Sequence, residues 1–158
     1  MTLTSLGNPH CTVFVNDFEG LDWPALGKEI ENAARFPQRT NVEFARVVSA
    51  EEIEVRFWER GVGVTKSSGT GSCGAVLASI LNGLTGRRVR VRTAAGILEV
   101  AWPPGRPLTL TGPATKVAMG IYYGAPVPAG DLQARGEAAG SAEKSRENRL
   151  MRRRSRRL

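Results

Sequence analysis

The chain has 158 residues, 41% of them hydrophobic and 23% charged, with a formal net charge of +7. That length supports one domain with a real core, and two cysteines are too few for a secreted disulfide scaffold. The charge is uneven: Asp131 to Leu158 holds nine Arg/Lys against four Asp/Glu, which leaves a near-neutral +2 for the rest, so the basic balance belongs to a tail and argues against a nucleic-acid-binding domain.

Met1 to Leu6 has no basic start followed by an apolar core, so no signal peptide is expected. Gly7-Asn8-Pro9 is a turn signal, and Cys11–Val15 after it is rich in β-formers. Asp22 is placed to cap a helix starting near Trp23-Pro24, because its carboxylate accepts from free N–H groups of the first turn. Leu26, Ile30 and Ala33 form the apolar stripe expected for that helix, which ends by Phe36-Pro37. Asn41–Val48 and Ile53–Arg60 alternate, with Val42/Phe44 and Ile53/Val55/Phe57 on single faces, and predict a hairpin around Ser49-Ala50-Glu51-Glu52.

Gly61 to Gly71 lacks periodicity and reads as a loop. Cys73, Val76, Leu77, Ile80, Leu81 and Leu84 then recur at helical spacing, with Asn82-Gly83 or Gly86 as the stop. This apolar stretch, Gly74 to Leu84, is too short to span a bilayer, so a soluble cytoplasmic protein is expected, with no membrane partner. Arg88/Arg90/Arg92 alternate with Val89/Val91/Thr93, and Ala94-Ala95-Gly96 turns the chain into Ile97–Trp102: a second hairpin, half buried and half basic. Leu108–Thr111 and Ala114–Tyr123 are two further predicted strands. Residues 129–158 are too poor in large apolar groups to offset their ordering entropy, and are expected to be a basic disordered tail, dispensable for the folding of domain 1–128. The fold class predicted is α+β, a mostly antiparallel sheet wrapped around a central helix, with one peripheral helix.

The chemistry-bearing segment runs from Glu59-Arg60-Gly61 through Ser67-Ser68-Gly69-Thr70-Gly71-Ser72-Cys73. A strand ends in a carboxylate and a guanidinium, a Gly-rich loop follows, and Gly69-Thr70-Gly71 opens an apolar helix. The free N–H groups and positive dipole end of such a helix suit an α-carboxylate. Arg60 adds a candidate bidentate clamp. From the residues alone, a helix entry that holds no ligand is equally compatible.

Glu59-Arg60-Gly61-x-Gly63-x-Thr65 with Ser68-Gly69-Thr70-Gly71 is similar to the second active-site signature of diaminopimelate epimerases. Gly7-Asn8-Pro9-His10-Cys11 and Thr40-Asn41-Val42-Glu43-Phe44 resemble two other signatures of that family, in order, and Gly112-Pro113-Ala114 resembles its closing segment. The likeness runs from about Gly7 to Tyr123 and concerns the C-terminal half of the family. It implies a cofactor-independent, PLP-independent isomerase that interconverts LL- and meso-diaminopimelate for lysine and peptidoglycan precursor synthesis. In that mechanism, two cysteines face each other across the substrate's α-carbon. Carried over position by position, Asn8, Asn41, Glu59, Arg60, Gly69 and Thr70 would contact the amino-acid substrate. His10 and Glu59 would tune the catalytic pair, and residue 68 would be the second catalytic position. No metal and no cofactor are implied.

The chain departs from the family pattern in two ways. The half that carries the other catalytic cysteine has no counterpart before Gly7, so a separate chain carrying the N-terminal half is an expected partner. Residue 68 is Ser where the family has its second thiol, and residue 64, usually Glu, is Val. Cys73 lies more than a helical turn further on, on the apolar stripe, and reads as a core cysteine. Two alternatives stand beside the epimerase reading: a one-base dehydratase or eliminase of the same superfamily, and a catalytically inactive ligand- or partner-binding domain.

Overall fold

The computed structural model describes residues 1–121; the basic tail expected over 129–158 and Tyr122–Tyr123 lie outside the described residues. Within Met1–Thr115 the elements run β1 (Thr2–Ser5), β2 (Pro9–Phe14), α1 (Trp23–Glu31), β3 (Asn41–Ser49), β4 (Glu52–Glu59), β5 (Gly63–Thr65), α2 (Gly69–Leu81), β6 (Arg88–Thr93), β7 (Gly96–Ala101) and β8 (Thr109–Thr111). One sheet of order β1-β2-β3-β4-β6-β7-β8 holds them, with β5 paired to β4. Five of its pairings are antiparallel, while β2–β3 and β4–β6 are parallel. The α+β class and the sheet around a central helix follow the expectation.

The α2 helix is the centre because its first turns are nearly all small: Gly69-Thr70-Gly71-Ser72-Cys73-Gly74-Ala75. A Cβ at Gly71 would stand 2.9 Å from the Phe57 ring, and one at Gly74 3.1 Å from Cβ and Cγ of His10. Contacts under about 3 Å are overlaps that force displacement, so glycine sets how closely this helix approaches β4 and β2. Against it pack Ala45, Val55, Phe57, Val89, Val91 and Val100, all essentially inaccessible, with Cys73 and Val76 from the helix itself. Full burial of Phe57 alone is worth up to about 3 kcal/mol of transfer free energy. Cys73 is a core residue, as its place on the apolar stripe implied. The helix stops where Asn82-Gly83 was expected to stop it: Gly83, at φ +67°, donates to Ile80 O and Leu84 N donates to Ser79 O, the paired bonds of a Schellman end.

Asp22 caps α1 by accepting from Ala25 N at 3.1 Å. The face that α1 buries most deeply is offset from the Leu26/Ile30/Ala33 stripe, of which Ile30 and Ala33 are half-buried. Gly27 and Glu31 are buried, whereas Leu26 is 37% exposed. Trp58 on β4 decides this: a Cβ at Gly27 would lie 2.7 Å from Cβ and Cγ of Trp58, so the indole docks where the helix has no side chain. Trp23, from the same helix, tilts against Phe44 at 6.1 Å between ring centroids. With α1 on one face of β3 and α2 on the other, Asn41 to Ala45 are all buried.

Both predicted hairpins form, as β3–β4 and β6–β7. In β6, Val89, Val91 and Thr93 point inward, and the outward Arg88 pairs with Glu99 while Arg90 and Arg92 share Glu52. Two expectations fail, and one strand was not foreseen. The stretch 61–71 is not wholly a loop, since it contains β5 and the start of α2. The β1 strand, which pairs Thr4 with His10, had no forecast. The strand expected over Ala114–Tyr123 is not formed in its described part, where Val117, Met119 and Ile121 are 93%, 83% and 78% exposed. Their alternation is present but no strand of the described residues pairs with it. No helix among the described residues is long and apolar enough to cross a membrane.

Candidate functional site

Parallel pairing of β2 with β3, and antiparallel pairing of β3 with β4, bring the start of β2, the start of β3 and the end of β4 to one end of the sheet. Asn8, His10, Asn41, Glu59 and Arg60 therefore gather there, although they are spread over 53 positions. Asn41, paired in register with His10, ties the segments together: its Nδ2 donates to Pro9 O at 2.9 Å and its Oδ1 accepts from Arg60 N at 3.0 Å. Each end of the amide makes one backbone bond and keeps a second hydrogen-bonding position, so Asn41 shapes the site. The α2 helix reaches the same region, with Gly71 against Phe57 and Gly74 against His10.

Arg60 Nη1 donates to Gln38 O at 3.0 Å, which leaves Nη2 and Nε without a protein acceptor among the described residues. Its backbone is held by Asn41 and its neighbour Gly61, at φ +77°, by Glu31. Glu59 is half-buried and hydrogen-bonds no side chain among the described residues, but its charge is close enough to act on Glu43.

Ser68 is the N-cap of α2: in an extended conformation, its Oγ accepts from Gly71 N at 3.2 Å. The N–H groups of Gly69 and Thr70, at the first two helical positions, take no protein acceptor among the described residues, and both residues are exposed. This leaves a pair of N–H donors at the positive end of a 13-residue helix, suited to an anion. Cys73 is no substitute thiol, since burial pushes it above the usual thiol range. Burial, followed by the charge of Glu43, does the same to Cys11. No cluster of metal-ligating side chains occurs among the described residues.

His10, 1% exposed, is held at both ring nitrogens: Nδ1 stands 2.6 Å from Glu43 Oε1 and Nε2 3.1 Å from Asn8 Oδ1. Sequence reasoning gave Glu43 no role. The alternation of β3 put Glu43 opposite Val42 and Phe44, which reads as a solvent face unless a second layer covers it. Its buried carboxyl is pushed up to about 6 by desolvation, against the pull of the His10 hydrogen bond and charge. Ionising it therefore costs stability: its contribution is fully present below the ordinary carboxylate range and lost as pH rises through about 6.

Glu31 was also missed. Oε1 accepts from Arg39 Nη1 (3.0 Å) and Gly61 N (2.8 Å), and Oε2 from Trp58 Nε1 (2.7 Å). This buried carboxylate fixes the turn that follows Glu59-Arg60. A charged residue amid a polar helix surface gave no signal of it.

Residues 2–117 match the model of the family described as diaminopimelate epimerase. The chain is 49% identical over 122 residues to a diaminopimelate epimerase of Pelotomaculum thermopropionicum, covering 77% of this chain and 44% of that protein. It is 47% identical over 125 residues to one of Geobacillus thermodenitrificans, covering 78% and 43%. The chain thus spans under half the length of the curated relatives it matches. A solved phenazine biosynthesis protein of the PhzF family from Bacillus anthracis is 23% identical, at a TM-score of 0.43, over 60% of this chain and 30% of that one.

Proposed function

We propose that this chain, which belongs to the diaminopimelate epimerase family, supplies the carboxylate-binding half of a site for diaminopimelate. In this reading, inversion at the α-carbon needs the other half of the site, with the opposing cysteine. The setting is cofactor-independent amino-acid isomerisation, serving lysine and peptidoglycan precursor synthesis in the cytoplasm. The observation that carries the reading is the Asn41 side chain, which joins the Asn8-Pro9-His10 turn to the Arg60 backbone. Around that link, Asn8, Asn41, Glu59, Arg60 and the N–H groups of Gly69 and Thr70 are assigned to the substrate, and His10 and Glu59 to tuning the catalytic positions, of which residue 68 is the second.

Ser68 sets the limit of the chemistry. A thiol titrates near ~8.5 and falls into the neutral range at a helix N-terminus, whereas a hydroxyl is closer to water at ~15.7. The gap of about 7 units is about 10 kcal/mol, and a helix end contributes at most ~2 kcal/mol. Ser68 therefore acts as a cap and hydrogen-bond donor and does not abstract the α-proton. The capping bond to Gly71 N favours one second reading, a catalytically inactive binding domain built on the epimerase frame.

Calorimetry with LL-diaminopimelate tests the binding claim. With half of an enclosing cleft, affinity is expected to be no better than about millimolar. Arg60→Ala removes a charge-assisted contact worth ~1.5 kcal/mol and should weaken binding about tenfold. An unchanged isotherm would mean that the end of β4 and the start of α2 are only structural.

A further inference from the structure

One buried group has no assigned part in the site, the carboxylate of Glu43, which touches the His10 imidazole. Glu43 is 1% exposed, and its Oε2 has no protein partner among the described residues, so His10 is the side chain that satisfies this carboxylate, through Oε1 at 2.6 Å. Neither group can turn away. The His10 backbone is fixed between Thr4 on β1 and Asn41 on β3, and its Cβ and Cγ lie against Gly74 of α2. Glu43 is held opposite Phe57 on β4. The other charge acting on Glu43 is that of Glu59, which is repulsive and makes the imidazole contact more necessary. At the far side of the ring, Nε2 stands 3.1 Å from Oδ1 of Asn8, so an Nε2 without a proton needs that amide turned to present its Nδ2, and Asn8 is only half-buried.

We propose that Glu43 is a positioning residue of this site: acting through Nδ1 of His10, it fixes the ring's orientation and keeps the Nδ1 proton, leaving Nε2 as the nitrogen that exchanges protons on the Asn8 side. The arrangement is that of a carboxylate orienting an imidazole, in which the acceptor at one nitrogen selects the tautomer and strengthens the other as a base. It rests on the site reading given above, in which His10 belongs to the substrate-side machinery. Glu43 touches neither substrate nor reacting atom, and its effect passes through the ring alone.

The chain has a single histidine, so its ring can be read without assignment. In the full chain labelled with 15N-histidine, long-range 1H–15N spectra at pH 8 report the protonation of each ring nitrogen. At that pH the Glu43 carboxyl, pushed up to about 6, is ionised and can only accept. The expected wild-type result is a protonated Nδ1 with a low-field, slowly exchanging proton. In Glu43→Gln that proton should be lost, and the ring should move to the tautomer protonated at Nε2, because an amide can donate to Nδ1. A side chain needed only for packing would leave the ring's protonation pattern in place in this near-isosteric variant. A wild-type Nδ1 without a proton, or a folded Glu43→Gln with an unchanged ring, would overturn the proposal. If Glu43→Gln does not fold, the wild-type spectrum decides: protonated Nδ1 supports the assignment and bare Nδ1 refutes it. The measurement uses no substrate, so a failure to bind diaminopimelate and a failure of this assignment are seen separately.

Discussion

Glu31→Ala is expected to lower the unfolding free energy by about 3 kcal/mol at pH 7. The carboxylate is 4% exposed and serves three donors: the Trp58 indole, the Gly61 backbone and the Arg39 guanidinium. Arg39 is half in solvent and can be rehydrated, but the other two lose a charged acceptor in a part-buried setting, at ~1.5 kcal/mol each. On a domain of this size the thermal midpoint should fall by about 12 °C. The pH dependence has a definite sign. Burial raises the Glu31 carboxyl, but its bonds to Trp58 and Gly61 and the charge of Arg39 outweigh this and hold it below the ordinary value. Its stabilisation is thus complete above the usual glutamate range near ~4.3 and is lost as pH falls through the lower folded value. Urea unfolding of both proteins should show the full gap at pH 7 and a shrinking one below about pH 4. A gap under about 1 kcal/mol at pH 7 would show that the turn after Arg60 is held by other means.

Ser68→Cys is expected to create one fast thiol in a protein whose two native thiols are slow. Cys11 and Cys73 are buried, and burial raises both. Position 68 is only half-buried, and a group there accepts from Gly71 N at the start of a helix, the setting in which thiol pKa values fall into the neutral range. The helix start lowers the thiol at position 68, while burial raises and shields Cys73, so both thiolate fraction and access favour residue 68. Alkylation by iodoacetamide at pH 7, followed by mass spectrometry of each cysteine peptide, should show residue 68 modified at least about tenfold faster than Cys73. Equal rates would mean that the helix start does not stabilise an anion, and the carboxylate-binding assignment of Gly69 and Thr70 would lose its basis.

The elements legible in the sequence are those whose signals are local. Asp22 before Trp23-Pro24 and Asn82-Gly83 after Leu81 carry their own capping chemistry, and both bound a helix as read. Val89/Val91 against Arg88/Arg90/Arg92 has the period of a strand with one wet face, which the inward and outward residues of β6 reproduce. The misread positions depend on what packs against them. Leu26 and Ile30 look like the buried face of α1, but Trp58, 31 residues after Gly27, makes Gly27 and Glu31 the most deeply buried. The β1 strand has only one large apolar residue, Leu3, and exists because β2 is there to pair with it. Glu43 and Glu31 were invisible for the same reason: a buried carboxylate and a solvated one are the same letter until the covering layer is known. The motif residues were legible as a set through the family likeness. The engagement of the Asn41 amide by two backbone groups, and of Arg60 by Gln38, was not.

Ser68, a hydroxyl where the family has a thiol, is expected not to remove the α-proton of diaminopimelate. Incubating the purified 158-residue chain with LL-diaminopimelate in deuterated water, and following the α-proton signal by NMR, tests it most directly. The predicted result is full α-proton intensity over days at equimolar protein, with no meso isomer. Loss of the α-proton signal, with meso-diaminopimelate accumulating in step, would contradict the claim and give Ser68, or another residue of this chain, the role of a base.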